Sequence, residues 1–278
     1  DRLSRVTRNL ILLARTGSHH AAEDPLLLVV QSARRLPRHL RTPVARLIAL
    51  GSAGHPGLRP ALAQFVSDRP DDAATLLGRA TPPRTAVGRR LAGELAVHLG
   101  HPESIPGGLT ATPAVTQARW AWRRGDISVA IQLAGSSTAG HRYGARLVSE
   151  RAMMQPGFRL PSNEGHAGWE PARRGAGPRA LHVLTNSLPH TSSGYTIRSH
   201  AVLRALLAEG IEVEAVTRIG YPVTVGRPLA RAVDVVDGVR YRRVLADGAA
   251  RTPVERLQQM VAQTLTIAED FRPTVLHT

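Results

Sequence analysis

The sequence has no cysteine, no lysine, few aromatic residues and no long apolar run. The absence of cysteine excludes disulfides and thiolate metal sites, and it favours a reducing compartment. Aromatic residues make up only 4% of the chain, and no basic helix is interleaved with stacking aromatics, so nucleic acid is not an expected partner. No apolar stretch approaches the roughly 20 residues of a membrane helix. These absences predict a globular, cytoplasmic protein.

The positive charge of the chain is unevenly distributed. All 36 basic residues are arginine, and the formal net charge is +15. Residues 180–278 contain 11 arginines against 9 acidic residues, whereas residues 1–179 contain 25 against 12. A basic surface of that size attracts anionic lipid or another polyanion. An anionic membrane surface, at the inner face of the membrane, is therefore one expected partner of the N-terminal region.

Residues 1–158 are predicted to be all-helical. Apolar residues recur there at intervals of three and four, the periodicity of an amphipathic helix. Four stretches with this pattern are 26–36, 44–50, 58–66 and 87–99. A further helix is predicted to begin with Asp71 and Asp72 as its caps.

An antiparallel helix pair is predicted within this region. Residues 114–124 and 127–134 are helical in pattern, and Gly125-Asp126 between them supplies a helix end followed by a helix start. The succession of such pairs is weakly similar to tetratricopeptide arrays, although no strict repeat is found. Two interpretations stay open: a solenoid that binds a partner, or an all-helical packing unit without a ligand of its own.

Residues 159–179 are predicted to be a linker. They contain Pro161, Pro171 and Pro178, several glycines and little apolar periodicity. The chain starts at Asp1 without an initiator methionine and ends in a predicted strand at His277. We therefore expect both ends to be cuts within a longer chain.

A βαβ unit is predicted at the start of residues 180–278. Residues 181–185 form a strand pattern, 186–194 a loop of small residues, 197–209 a helix, and 211–217 a second strand after Gly210. This order predicts parallel strands with a right-handed crossover. Ligands of such sheets bind at the carboxyl ends of the strands. Here those ends are residues 186–196, residues 218–228 and His277.

The first loop has the chemistry of an anion site. Ser192, Ser193 and Gly194 are predicted to leave backbone N–H groups free at a helix N-terminus, which favours a phosphate. The alternative is structural, with a tight turn at Gly194 and a helix cap at Ser193. A dinucleotide fingerprint is missing, and Arg218 stands where an acidic residue would follow the second strand, so a dehydrogenase is disfavoured. The chain also lacks a P-loop, an HExxH motif and a G-x-S-x-G elbow, and neither a metal nor a cofactor is expected.

Four segments in order resemble the opening of family 4 glycosyltransferases of the actinobacterial type. They are 186–200 (NSLPHTSSGYTIRSH), 216–222 (VTRIGYP), 236–241 (VDGVRY) and 272–277 (RPTVLH). The family usually has a Gly-Gly pair where Ser193-Gly194 stand in this chain. The resemblance covers about the last hundred residues.

The resemblance implies a GT-B enzyme with two Rossmann-like domains. Such an enzyme transfers a sugar from a nucleotide-sugar donor to an acceptor, here a sugar or a lipid-linked molecule, with retention and without a metal. Residues 180–278 would be the N-terminal, acceptor-side domain, truncated before the donor-binding domain, so the chain alone is expected to be inactive. The competing hypothesis is a helical protein-interaction module attached to a non-catalytic Rossmann-like scaffold.

The resemblance also implies roles for particular residues. The catalytic candidate is His277, which would polarise a hydroxyl. The candidates for substrate binding are Ser193, Gly194 and Tyr195 through their N–H groups, Arg198 through its charge, and Arg218 and Tyr221 as walls of the acceptor pocket. The alternatives are a solvated Arg198, a structured loop at Arg218 and Tyr221, and a structural histidine at the end of a strand.

Overall fold

The computed structural model describes residues 2–23, 30, 36–52, 55–137, 140–161, 177–245 and 250–278. The chain divides into two compact units, residues 20–152 and residues 1–19 with 153–278. We refer to them as the helical unit and the sheet unit. Among the described residues, no helix is long and apolar enough to cross a membrane.

The first helix, α1 (Arg2–Glu23), contributes its first part to the sheet unit. Asn9 Nδ2 donates hydrogen bonds to the carbonyl oxygens of Pro228 at 2.8 Å and Ala230 at 2.9 Å. Leu12, one turn further along, is buried against Val223 and Ala230. The predicted helical region 1–158 and the observed helical unit therefore differ in their first residues. The apolar stripe of α1 indicates that the helix packs against other residues, but tertiary contacts decide which residues these are.

The helical unit is built from seven short helices in the described ranges. They are α2 (Arg38–Ala49), α3 (Leu58–Val66), α4 (Pro70–Gly78), α5 (Ala86–Leu99), α6 (Ala114–Arg123), α7 (Ile127–Gly135) and α8 (His141–Met153). Small alanines let these helices approach closely around Phe65, Leu77 and Leu95, which are buried. The helix predicted at 26–36 lies almost entirely outside the described residues.

The helix starts within this unit are partly as predicted. Gly125 has φ +85°, and the Asp126 side chain accepts a hydrogen bond from Val129 N–H at 3.2 Å, so the predicted α6–α7 pair is confirmed. The predicted caps at Asp71 and Asp72 are wrong. Pro70 is the first helical residue, because its fixed φ suits that position and it has no N–H to satisfy. Both aspartates therefore lie in the first turn, where the helix dipole still favours them.

The sheet unit contains a mixed sheet of five strands in the order β3-β4-β2-β1-β5. The elements are β1 (Arg179–Leu184), α9 (Gly194–Ala208), β2 (Glu212–Thr217), β3 (Val233–Val236), β4 (Val239–Arg243), α10 (Pro253–Phe271) and β5 (Val275–His277). Strands β1, β2, β4 and β5 run parallel, and β3 is antiparallel to β4. The predicted α/β class and the β1-α9-β2 unit are confirmed.

A helix covers each face of this sheet. On one face, Leu203 of α9 packs with Ala180 and Leu184 of β1. On the other, Ala268 and Phe271 of α10 pack against neighbouring strand residues. Successive strand residues point to opposite faces, which is why neighbouring residues of β1 pack against different helices. The carboxyl ends of the four parallel strands lie at one edge, here called the carboxyl edge.

Helix α9 packs on the sheet through Leu203, Leu206 and Leu207, whereas Ile197 is 56% exposed and Ala201 and Ala205 are exposed. Thr196 and His200 are buried as well. Two polar side chains can occupy the packed face because each has a hydrogen-bond partner there, a condition that hydrophobic periodicity does not reveal.

Candidate functional site

The loop between β1 and α9 lies at the carboxyl edge and ends in a complete helix cap. Ser193 is the N-cap residue, and its Oγ accepts a hydrogen bond from Thr196 N–H at 3.3 Å. In return, Ser193 N–H donates to Thr196 Oγ1 at 2.8 Å. The prediction that the Ser193 N–H is free is therefore wrong, because this N–H donates within the capping box. Ser193 has the structural role that was the alternative.

The next two N–H groups are open. In the described part of the chain, neither Gly194 N–H nor Tyr195 N–H donates to an acceptor. A Cβ added at Gly194 would meet no atom within 4 Å, and Gly194 is not among the glycines with positive φ. Gly194 is thus the ordinary first residue of a helix with space in front of it, and not a strained turn. The Tyr195 hydroxyl accepts from Thr185 N–H at 3.3 Å, which holds this ring beside the end of β1.

The second loop follows β2, and its two predicted site residues differ in exposure to solvent. Arg218 is exposed, and its guanidinium lies 5.8 Å from the centre of the Tyr221 ring. Tyr221 is 0% exposed. Its hydroxyl donates to the Ser187 carbonyl oxygen at 2.6 Å, accepts from Ser187 N–H at 3.2 Å and lies 2.9 Å from Thr191 Oγ1. Tyr221 therefore joins the two loops from inside the core instead of lining an open pocket wall.

A buried arginine that the sequence analysis did not identify holds the same loop. Arg243, the last residue of β4, is 5% exposed. Its Nε donates to Asp234 Oδ2 at 2.8 Å, its Nη1 to Ser187 Oγ at 2.5 Å and its Nη2 to the Leu188 carbonyl oxygen at 2.8 Å. Burial lowers the pKa of Arg243, and the Asp234 carboxylate opposes that shift. All three nitrogens of the guanidinium are thus used to tie the first loop to β3 and β4.

His190 completes this arrangement, which we call the loop clamp (His190, Asp234 and Arg243). His190 Nε2 lies 2.9 Å from Asp234 Oδ2, the same oxygen that accepts from Arg243. A sequence signal for the clamp exists in β4, where Val239, Tyr241 and Arg243 alternate at buried positions. A charged side chain at a strand position where the alternating pattern predicts burial implies a partner, because an unpaired buried charge is costly.

A second histidine outside the predicted set anchors α9 to the sheet. His200 is buried, with Nδ1 2.7 Å from the Tyr241 hydroxyl and Nε2 3.1 Å from Asp237 Oδ2. Burial raises the pKa of Tyr241 to about 12. The hydrogen bond with His200 lowers the pKa of Asp237. Both ring nitrogens of His200 are occupied, so its role is to fix the orientation of α9 relative to β4.

His277 lies at the end of β5, paired in register with His182 of β1. Their ring centres are 4.6 Å apart. His182 is buried and its pKa is lowered, first by burial and then by the neighbouring His277, whereas His277 is exposed. β1 continues for two residues beyond this pair, so His277 stands slightly short of the carboxyl edge. Within the described residues, no group of three or more His, Asp or Glu side chains is placed to hold a metal ion.

Arg198 projects from the second turn of α9 and is exposed. Among the described residues, its guanidinium has no hydrogen-bond or ion-pair partner. Arg198 and Arg218 are thus two exposed positive side chains of the sheet unit, while the α9 N-terminus provides a fixed partial positive charge. Such an arrangement is chemically suited to an anion.

Comparison of the chain with protein-family models, with curated proteins and with solved structures finds no match. The functional interpretation therefore depends on the residues and geometry of the carboxyl edge.

Proposed function

We propose that residues 180–278 form the acceptor-side, Rossmann-like part of a GT-B glycosyltransferase that resembles family 4. In this proposal the carboxyl edge receives the diphosphate of a nucleotide sugar or an anionic group of the acceptor. The observation that carries the proposal is the open N-terminus of α9, with two unused N–H groups and free space before Gly194.

The charge chemistry of sugar transfer gives these groups their proposed roles. Cleavage of the donor's glycosidic bond leaves negative charge on a phosphate oxygen. Two fixed N–H groups and the positive end of the α9 dipole stabilise such a charge without reorganising. Arg198 would add an electrostatic contact, and His277 would polarise a hydroxyl of the acceptor or donor. The loop clamp would keep the N–H groups oriented, since it restrains the loop that leads into α9.

The competing proposal is a non-catalytic scaffold attached to a helical interaction module. One observation favours it: the Ser193 cap and the buried Tyr221 hydroxyl are both used in internal hydrogen bonds. The two proposals differ in whether the α9 N-terminus has a ligand, and this difference can be measured.

The first test is titration of inorganic pyrophosphate into the full chain by calorimetry. We expect saturable binding that falls roughly tenfold in Gly194→Val, because the added methyl groups occupy the space in front of the open N–H groups. Gly135→Val is the matched control, since Gly135 also lies in a helix with nothing within 4 Å of an added Cβ. Equal affinities for wild type and both variants would refute the anion site and leave the scaffold interpretation.

The second test is catalytic. In the full-length natural protein, radiolabelled nucleotide sugars should yield a transferred or hydrolysed sugar, and Gly194→Val should lose most of that rate. Pyrophosphate binding without any sugar release would keep the anion site and reject glycosyl transfer.

A further inference from the structure

The helical unit contains a cleft between α5, α6 and α8 that has no part in the proposed sugar transfer. Its volume is about 390 Å³, and its lining includes Trp122, Tyr143 and three arginines. Pockets for small molecules usually measure about 300–1,000 Å³ and combine aromatic walls with a few fixed polar groups. The size and the composition therefore both fit a small organic ligand.

The floor of this cleft contains a buried ion pair. Glu94 is 0% exposed, and its Oε1 accepts from Arg119 Nη1 at 2.9 Å and from Thr116 Oγ1 at 2.7 Å. The Arg119 guanidinium also lies over the Tyr143 ring, 4.8 Å from its centre. Burial raises the pKa of Tyr143 to about 12, so this ring is neutral at physiological pH. A buried ion pair is a costly way to stabilise helix packing compared with apolar residues, which suggests a role beyond packing.

The rim of the cleft offers a flat apolar surface in a fixed orientation. Trp122 is 44% exposed, and its indole N–H donates to Glu150 Oε2 at 3.0 Å. Arg146 Nε donates to the other oxygen of the same carboxylate at 2.8 Å. Glu150 thereby holds both side chains at the rim. An exposed, tethered tryptophan buries much apolar area on binding a ring and loses little conformational freedom.

The charges around the cleft leave a positive excess. Arg119 is balanced by Glu94 and Arg146 by Glu150. Arg123 Nη1 donates to the carbonyl oxygens of Val97 at 2.7 Å and His98 at 3.0 Å, at the C-terminus of α5. No carboxylate pairs with Arg123 in the described part of the chain. Its full positive charge is therefore fixed in the lining without a negative side chain beside it.

From these observations we infer that the cleft between α5, α6 and α8 binds a small aromatic anion, a flat ring system that carries a carboxylate, sulfonate or phosphate group. The ring packs against Trp122, and the anionic group lies towards Arg123 and Arg146. This site belongs to the helical unit alone and does not depend on the proposed glycosyl transfer.

The probe for this inference is 1-anilinonaphthalene-8-sulfonate, an aromatic anion that becomes fluorescent on binding, titrated into the full chain. We expect one saturable site and energy transfer from tryptophan. Trp122→Ala and Arg123→Gln should each weaken binding by roughly tenfold or more. The matched control is Arg124→Gln, because Arg124 adjoins Arg123 in sequence and is exposed but does not line the cleft. The neutral analogue N-phenyl-1-naphthylamine should bind much more weakly than the anion.

Since Arg123 also caps α5, Arg146→Gln serves as a second charge variant, and circular dichroism checks that every variant is folded. A loss of affinity in Trp122→Ala and either charge variant, with Arg124→Gln unchanged, supports the site. Unchanged affinity in Trp122→Ala and both charge variants overturns it, as does equal binding of the neutral analogue. Loss of pyrophosphate binding in Gly194→Val has no bearing on this outcome, so the two proposals fail separately.

Discussion

Replacing Arg243 by methionine tests whether the loop clamp stabilises the sheet unit. The substitution keeps an apolar stem of similar length but removes hydrogen bonds to Asp234 Oδ2, Ser187 Oγ and the Leu188 carbonyl oxygen. It leaves Asp234 partly buried with His190 as its remaining clamp partner. Breaking a buried pair by removing one partner costs about 3–5 kcal/mol. We expect the free energy of unfolding of the sheet unit to fall by about that amount.

The control for this experiment is Arg240→Met on the same strand. The Arg240 side chain is 52% exposed, and its Nη1 lies 3.5 Å from Glu214 Oε1, so removal of its charge should cost about 0–1 kcal/mol. Urea denaturation followed by circular dichroism measures both variants, and hydrogen exchange of the β4 amides identifies which unit has lost stability. Asp234→Asn should recover part of the loss when combined with Arg243→Met, because it removes the unpaired charge. If Arg243→Met costs no more than Arg240→Met, the clamp is not stabilising and our reasoning about it is wrong.

Four further results are expected. The stability of the sheet unit should fall as pH drops below about 6.5, because the pKa of buried His182 is lowered and the unfolded chain therefore binds more protons than the folded chain. Denaturation midpoints measured over a pH series should show this fall, and His182→Gln should make it smaller. Ser193→Ala should cost about 1 kcal/mol through loss of the cap, measured by urea denaturation, and a neutral effect would contradict the capping role. Gly194→Val should reduce sugar transfer by the full-length protein while the melting temperature stays nearly constant, since the position is open and unstrained; a matching loss of stability would argue against a ligand effect. Arg198→Ala should weaken pyrophosphate binding by about 1.5–3 kcal/mol, and raising the salt concentration should shrink that difference; calorimetry at two salt concentrations decides it.

Local chemistry determined the parts of this protein that could be predicted from its sequence. The β1-α9-β2 unit follows from two short apolar runs with a helix and Gly210 between them, and Gly210 has φ +76°. The α6–α7 pair follows from Gly125-Asp126. In each case the deciding hydrogen bonds and backbone angles lie within a few residues, so the pattern contains the information.

Tertiary contacts decided the rest, including most of the candidate site. Asn9 of α1 bonds to residues about 220 positions away, and periodicity cannot name such a partner. Periodicity also cannot name the partner of Tyr221, which was expected in a pocket wall. Tyr221 is buried, and its hydroxyl forms hydrogen bonds with the backbone of Ser187. Arg243 was overlooked because an arginine is ordinarily exposed, and only its distant partners make its burial possible. A sequence pattern shows which side chains are apolar, whereas the partners that satisfy a buried polar group come from chain segments that only the folded structure brings together.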